Sequence, residues 1–350
     1  MKTAAAALFL LWFAGCGGGS EDLALDEIDL EVKVLRLDVD MANAARSLQA
    51  DSTVDTLVLY QEHFAGYRNF ITEWMFLGQD SGVTDAMVAG MMYGFVADSY
   101  GQDLLDTIQQ ALPSGSFDPS AALTPLFKRY RYYFPDRSIP EIVTFVDGYP
   151  PTAQAGFDQL VVTPTYLGIG VHYLMGGKFP YYPPDLPKYV RRRFNPAHLP
   201  ALVAHRLADI AVPAPALDEN PVLLDYIIQE GLQMHFVDKV LGPDISDTIK
   251  MYYTAEQLEW AQFYEGKAYL DLLPHLYEID YEQVRRYVED SPFTSQLNRK
   301  SAPRLGQFLG WKIVQAYAEK HPEEQLAGLV ARTDYAQIYK AAGYRPPRNE

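Results

Sequence analysis

Apolar residues recur along most of this chain at three- and four-residue intervals, the spacing that lines one face of an α-helix. The pattern predicts helices over residues 53–77, 85–112 and 119–133, and later over 199–210, 221–240, 254–275, 281–289, 304–320 and 322–332. Short runs rich in β-branched and aromatic residues predict strands at 30–37, 141–146 and 160–171. Asn220 before Pro221 reads as a helix start, a capping side chain followed by proline at the first helical position, and Gly242 reads as the stop. Between 149 and 198 proline, glycine and tyrosine dominate, so apart from its strand that stretch is expected to be irregular and surface-lying. The fold class that results is α+β, predominantly α-helical with a small central β-sheet. No low-complexity linker or repeat divides residues 26–350, which are expected to form a single domain.

The N-terminus departs from this pattern. Among residues 1–15 only Lys2 is charged, and the apolar run from Ala4 to Ala14 is shorter than the ~20 residues that cross a bilayer. A basic start, an apolar middle and small residues before a cut define a secretory signal. Phe13-Ala14-Gly15-Cys16 is similar to a lipobox, with phenylalanine where leucine is commoner. Residues 1–15 are therefore read as a lipoprotein signal peptide, Cys16 as the lipidated new N-terminus, and residues 16–25 as a flexible lipid-anchored tether. Each buried methylene contributes about 0.8 kcal/mol, so several acyl chains on Cys16 anchor stably where a single chain is marginal. Cys16 is the only cysteine, which leaves no intramolecular disulfide and no cysteine-rich metal site.

Charge narrows the function further. The formal charge is −16, and one unit more negative once Lys2 leaves with the signal. Nucleic-acid binding needs a basic footprint and is excluded as a function class. An anionic membrane repels such a body, so the lipid on Cys16 is the one membrane contact expected.

One constellation carries candidate chemistry. His205 and Asp209 stand four residues apart on a predicted helix and share its face, and Glu230 follows 21 positions later on the next helix. Gluzincin metallopeptidases have this order: a His-Glu-x-x-His helix supplies two zinc ligands and a general base, and a glutamate on a later helix supplies the third ligand. The residue types do not fit. Arg206 occupies the general-base position and stays protonated, so it cannot take a proton from a metal-bound water. His205, Asp209 and Glu230 are thus expected to be a vestigial metal site or a structural polar cluster, on a degenerate zincin-like scaffold without cofactor. The rival is a zinc-dependent metallopeptidase with atypical ligands. No nucleophile elbow, phosphate loop or dinucleotide fingerprint competes. The other six histidines are scattered and read as packed or surface residues. The run Phe179-Pro180-Tyr181-Tyr182-Pro183-Pro184 is proline-stiffened and amphipathic, and Phe179, Tyr181 and Tyr182 are expected to form an exposed binding loop.

From about Tyr60 onward the chain resembles the gliding-motility lipoprotein GldB family of Bacteroidota. The resemblance rests on the aromatic segment closing at Leu77-Gly78 and on Tyr132-Tyr133-Phe134-Pro135. Tyr166-Leu167-Gly168, Leu186-Pro187-Lys188-Tyr189 and Tyr253-Thr254-Ala255-Glu256-Gln257 with Trp260 extend it. Its most specific stretches are Pro292-Phe293-Thr294, Ser301-Ala302-Pro303-Arg304-Leu305-Gly306, Gly310-Trp311-Lys312-Ile313-Val314 and Tyr344-Arg345-Pro346. Glu230-Gly231 falls where the family has Glu-Gly-Lys, so Leu232 departs from it. The resemblance implies a non-catalytic cell-envelope lipoprotein, expected at the outer membrane. Its expected partners are other envelope proteins of a gliding or type IX secretion machinery.

Overall fold

The computed structural model describes residues 23–75, 82–113, 115–147, 160–217, 220–279, 281–294, 297 and 299–347. Cys16, with the signal peptide and most of the tether, lies outside the described residues. A short strand, β1 (Val34–Arg36), runs directly into α1 (Leu37–Ala50). Then come α2 (Thr56–His63), α3 (Arg68–Met75), α4 (Asp85–Ala97), α5 (Ser99–Ala111) and α6 (Pro119–Tyr133). The strands β2 (Glu141–Phe145), β3 (Leu160–Val162) and β4 (Tyr166–Gly170) follow, and then the small helix α7 (Lys188–Arg191). The C-terminal run comprises α8 (Leu199–Ala211), α9 (Leu223–Leu241), α10 (Asp247–Met251), α11 (Ala255–Phe263), α12 (Glu265–Leu272), α13 (Tyr281–Val288), α14 (Leu305–Lys320), α15 (Leu326–Val330) and α16 (Tyr335–Ala342). The described chain is mostly helical with one small mixed sheet, as the α+β expectation holds.

The sheet runs in the order β1-β2-β4-β3, with β1, β2 and β4 parallel and β3 antiparallel to β4. Val143 in β2 lies between Leu35 of β1 and Gly168 of β4. Strands covered on both faces read as continuous apolar runs rather than alternating ones. That is the burial of β2 beyond Glu141 and of all five β4 residues. Phe70 and Trp74 from α3 pack on Phe145 and seal one face, with ring centroids 5.7 and 4.3 Å away.

Several elements differ from their sequence-predicted bounds, each for a local reason. The single strand expected at 160–171 is a hairpin. Pro164 lacks an N–H, and the Thr163 hydroxyl accepts from the Tyr166 N–H at 2.9 Å, which turns the chain back. The helix expected over 85–112 breaks at Asp98, whose extended backbone lets its carboxylate accept from the Gly101 N–H and cap α5. The helix expected over 53–77 breaks at a 3-10 turn, Ala65–Tyr67. The one expected over 254–275 divides at Tyr264. The Asn220-Pro221 start is not used. Asn220 adopts a left-handed φ of 52°, and α9 begins three residues later, at Leu223, where the Asp225 carboxylate accepts from the Val222 N–H at 2.9 Å. Gly242 does end α9, with φ 73°. A side chain there would also strike the Arg129 guanidinium.

The long helix α9 is the centre of the C-terminal half, packed against α8, α14, α6 and α16. Thirteen of its residues are buried, too many for a one-sided amphipathic helix and consistent with a helix surrounded by others.

Candidate functional site

The helices α8 and α9 lie side by side, and His205, Asp209 and Glu230 come from their neighbouring turns. Each of the three is committed to a partner other than the other two. The His205 Nε2–H donates to the Lys250 carbonyl at 2.8 Å, and the ring stacks on Tyr252 with centroids 4.9 Å apart. The Asp209 side chain is 51% exposed; it accepts from Gln233 Nε2 at 3.2 Å and lies 3.8 Å from Arg206 Nη1. The Glu230 carboxylate accepts from Gln307 Nε2 at 2.7 Å. Among the described residues no group of three or more histidine, cysteine, aspartate or glutamate side chains is arranged to hold a metal ion.

Burial sets the protonation states. It pushes the Glu230 carboxyl up to about 7, opposed by the Gln307 hydrogen bond and the Arg304 charge. It lowers His205 to about 4 against the opposing hydrogen bond to Lys250, with Arg304 and Arg193 adding to the lowering. His198 is lowered to about 4 in the same way, by burial and then by Arg193 and Arg192. At neutral pH both imidazoles are uncharged.

Around this cluster the fold assembles residues to which motif reading assigned no chemistry, although Arg304 falls in a stretch quoted for the family resemblance. Tyr252 takes a left-handed φ of 54° and Arg304 one of 47°, two of the three positive-φ non-glycine residues among those described. Such conformations cost about 1–3 kcal/mol and persist only where the surroundings over-determine them. Here they do. Arg304 donates to the Met251 carbonyl and, at 3.0 Å, to Gln307 Oε1, and its Nε lies 3.4 Å from Asp290. Arg193 donates through both terminal nitrogens to Asp290 and sits over the Tyr252 ring at 4.8 Å. Arg192 donates to the Tyr252 carbonyl at 3.1 Å. Burial raises the Asp290 carboxyl, but the Arg193 hydrogen bonds and the Arg304 charge outweigh it and hold Asp290 below the usual range. Lys250, itself buried, pairs with Asp238 at 2.7 Å.

A backbone contact holds these helices in register. Gly231 of α9 and Gly310 of α14 meet without side chains between them. A Cβ on Gly231 would lie 2.3 Å from the Gly310 carbonyl oxygen, and one on Gly310 would lie 2.0 Å from that of Ile227. Glu230 precedes one glycine by one residue and Gln307 the other by three, so the crossing itself brings that pair together. The Glu230-Gly231 and Gly310-Trp311 segments quoted for the family resemblance therefore act as a steric requirement.

The aromatic loop is a correction. Phe179 and Tyr182 are buried, not exposed; the Tyr182 hydroxyl donates to the His172 carbonyl at 2.7 Å, and its ring packs on Phe194 at 5.1 Å. Tyr181 is half-buried, edge-on to Tyr100 at 5.4 Å. The prolines fold the loop back onto its own domain.

These features define a predominantly helical α+β protein with a polar cluster between α8, α9 and α14. The family model described as gliding motility protein GldB matches residues 19–346, and the chain belongs to that family of gliding-motility-associated lipoproteins. The match begins well before Tyr60, where the residue-level resemblance starts, and takes in β1 and α1. No curated protein and no solved structure matches the chain. Among the described residues no helix is long and apolar enough to cross a membrane.

Proposed function

We propose that the protein is a non-catalytic interaction or assembly component of the cell envelope, held at the outer membrane by lipid on Cys16 and serving gliding or type IX secretion. The observation that carries this reading is the use of the cluster's donors. His205 is spent on a backbone carbonyl and Glu230 on Gln307, and Arg206 stands where hydrolysis needs a base. In this reading α8 and α9 are a degenerate zincin-like pair that retains the order of a metallopeptidase's ligand helices without its chemistry. The juxtaposition of His205 and Glu230 on packed helices is the one feature that favours the rival, a metallopeptidase with unusual ligands. Elemental analysis of the purified full-length chain separates the two. The expected result is sub-stoichiometric zinc and no peptide cleavage; stoichiometric zinc with cleavage abolished by a chelator would refute the proposal.

A further inference from the structure

Among the described residues, six of the sixteen exposed large apolar side chains fall between residues 263 and 279. Soluble proteins scatter such residues singly, and a concentration of them marks a contact surface. Leu270, Tyr277 and Ile279 are 65%, 69% and 62% exposed. Tyr264 and the outer face of α12, Lys267, Leu270 and Asp271, form a ridge with a cavity on each side. One is about 730 Å³ and includes Trp260, Tyr287, Arg299 and Lys300 in its walls; the other is about 770 Å³ and is closed by Tyr344, Arg345 and Pro346.

We propose that this double groove docks an extended segment of a partner protein that carries apolar or aromatic side chains between carboxylates. Charge indicates the sign. The chain as a whole stands at −16, yet the first cavity gathers Lys267, Arg299 and Lys300 against Asp271, which Lys267 already pairs at 2.7 Å. A second copy of this chain would bring the same cations face to face. Position argues against lipid as the occupant. The Leu223 and Leu224 N–H groups donate to the carbonyls of Glu278 and Leu276, so the patch is fastened to the first turn of α9. The anchored end enters elsewhere. The Leu25 carbonyl accepts from Lys128 of α6, whose Tyr130 and Phe134 pack on Phe236 toward the far end of α9. At 1.5 Å per residue, Leu224 and Phe236 are about 18 Å apart along the axis. The patch thus lies toward the opposite end of α9 from where the tether joins the body.

The inference rests on the interaction reading above but can fail alone. The test uses the full-length chain in mild detergent and a fluorescein-labelled peptide alternating glutamate with phenylalanine, followed by anisotropy. A lysine–phenylalanine counterpart serves as control. The expected result is binding of the acidic peptide only, with Kd raised about tenfold or more by Leu270→Asp, the loss typical of a central interface anchor, and also raised by Lys300→Glu. Circular dichroism should show both variants folded, since both positions are exposed. Absence of acidic-peptide binding, equal binding of both peptides, or indifference to both substitutions would overturn the proposal. So would Leu270→Asp abolishing co-sedimentation with phosphatidylcholine–phosphatidylglycerol vesicles, or dissolving a dimer. Chelator-sensitive hydrolysis would instead sink the functional reading and leave this surface untouched.

Discussion

Substituting Gly310 by alanine tests the backbone crossing most directly. The added Cβ would sit 2.0 Å from the Ile227 carbonyl oxygen, where real Cβ contacts stay beyond 3.0 Å. The obstacle is main chain, so no rotamer change relieves it, and α9 and α14 must part by roughly an ångström. Overpacking of this kind costs about 1–3 kcal/mol. An approach this close to main chain calls for the upper end of that range, and alanine returns up to about 1 kcal/mol in helix propensity, so a net loss of about 2 kcal/mol is expected. For a domain of this size, whose unfolding entropy scales as about 2.1 cal/mol/K per residue, that lowers Tm by about 3 °C. Gly94→Ala is the internal control. It lies at an exposed position of α4 with nothing within 4 Å of its ideal Cβ, and should be neutral or stabilising. The measurement is differential scanning calorimetry on the three proteins. If Gly310→Ala melts with or above the parent, the crossing does not constrain the fold as argued.

Glu230→Gln tests the half-buried carboxyl. Its folded pKa of about 7 lies above the ordinary 4.5. The favourable contribution is therefore complete below about pH 4.5 and is lost as pH rises through 7, by at most about 1.4 kcal/mol per unit. The variant should match the parent near pH 4.5 and melt above it at pH 8; a Tm difference that stays constant from pH 5 to 8 contradicts the assignment. Arg304 tests the left-handed backbone. Both Arg304→Ala and Arg304→Gly lose the bonds to Met251 and Gln307, but only alanine keeps the strain at φ 47°. Chemical denaturation should find the glycine variant more stable by about 1 kcal/mol, and the reverse order would remove strain from the account.

The helix α6 was legible in the sequence to the residue, because Asp118 caps it through the Ala121 N–H and Pro119 opens it. The break at Asp98 was not, since apolar spacing continues across it and only the capping geometry reveals it. The helix α1 was missed for another reason. Its buried face includes Ala42, Ala44 and Ala45, which carry little hydrophobic signal, and the strand before it obscured its start. At the site, sequence spacing placed His205 and Glu230 on adjacent helices correctly. It could not supply their partners. One is a backbone carbonyl 45 residues away and the other a glutamine 77 residues away, and neither leaves a motif. The aromatic loop misled because proline and tyrosine look alike on a surface and in a fold-back turn; the deciding contacts, His172 and Phe194, lie outside it.

The meeting of Gly231 with Gly310 also bears on how freely this lineage can change. The register between α9 and α14 is kept by carbonyl oxygens and α-carbons, atoms that every sequence possesses. Side chains beside the crossing can therefore be exchanged without the helices losing their alignment, provided the two glycines remain. Arg206 and Asp209 stand on α8, outside that contact, so substitutions there remove no support from the frame. The polar residues beside the crossing can thus change in single steps while the architecture is inherited intact and left open to other uses.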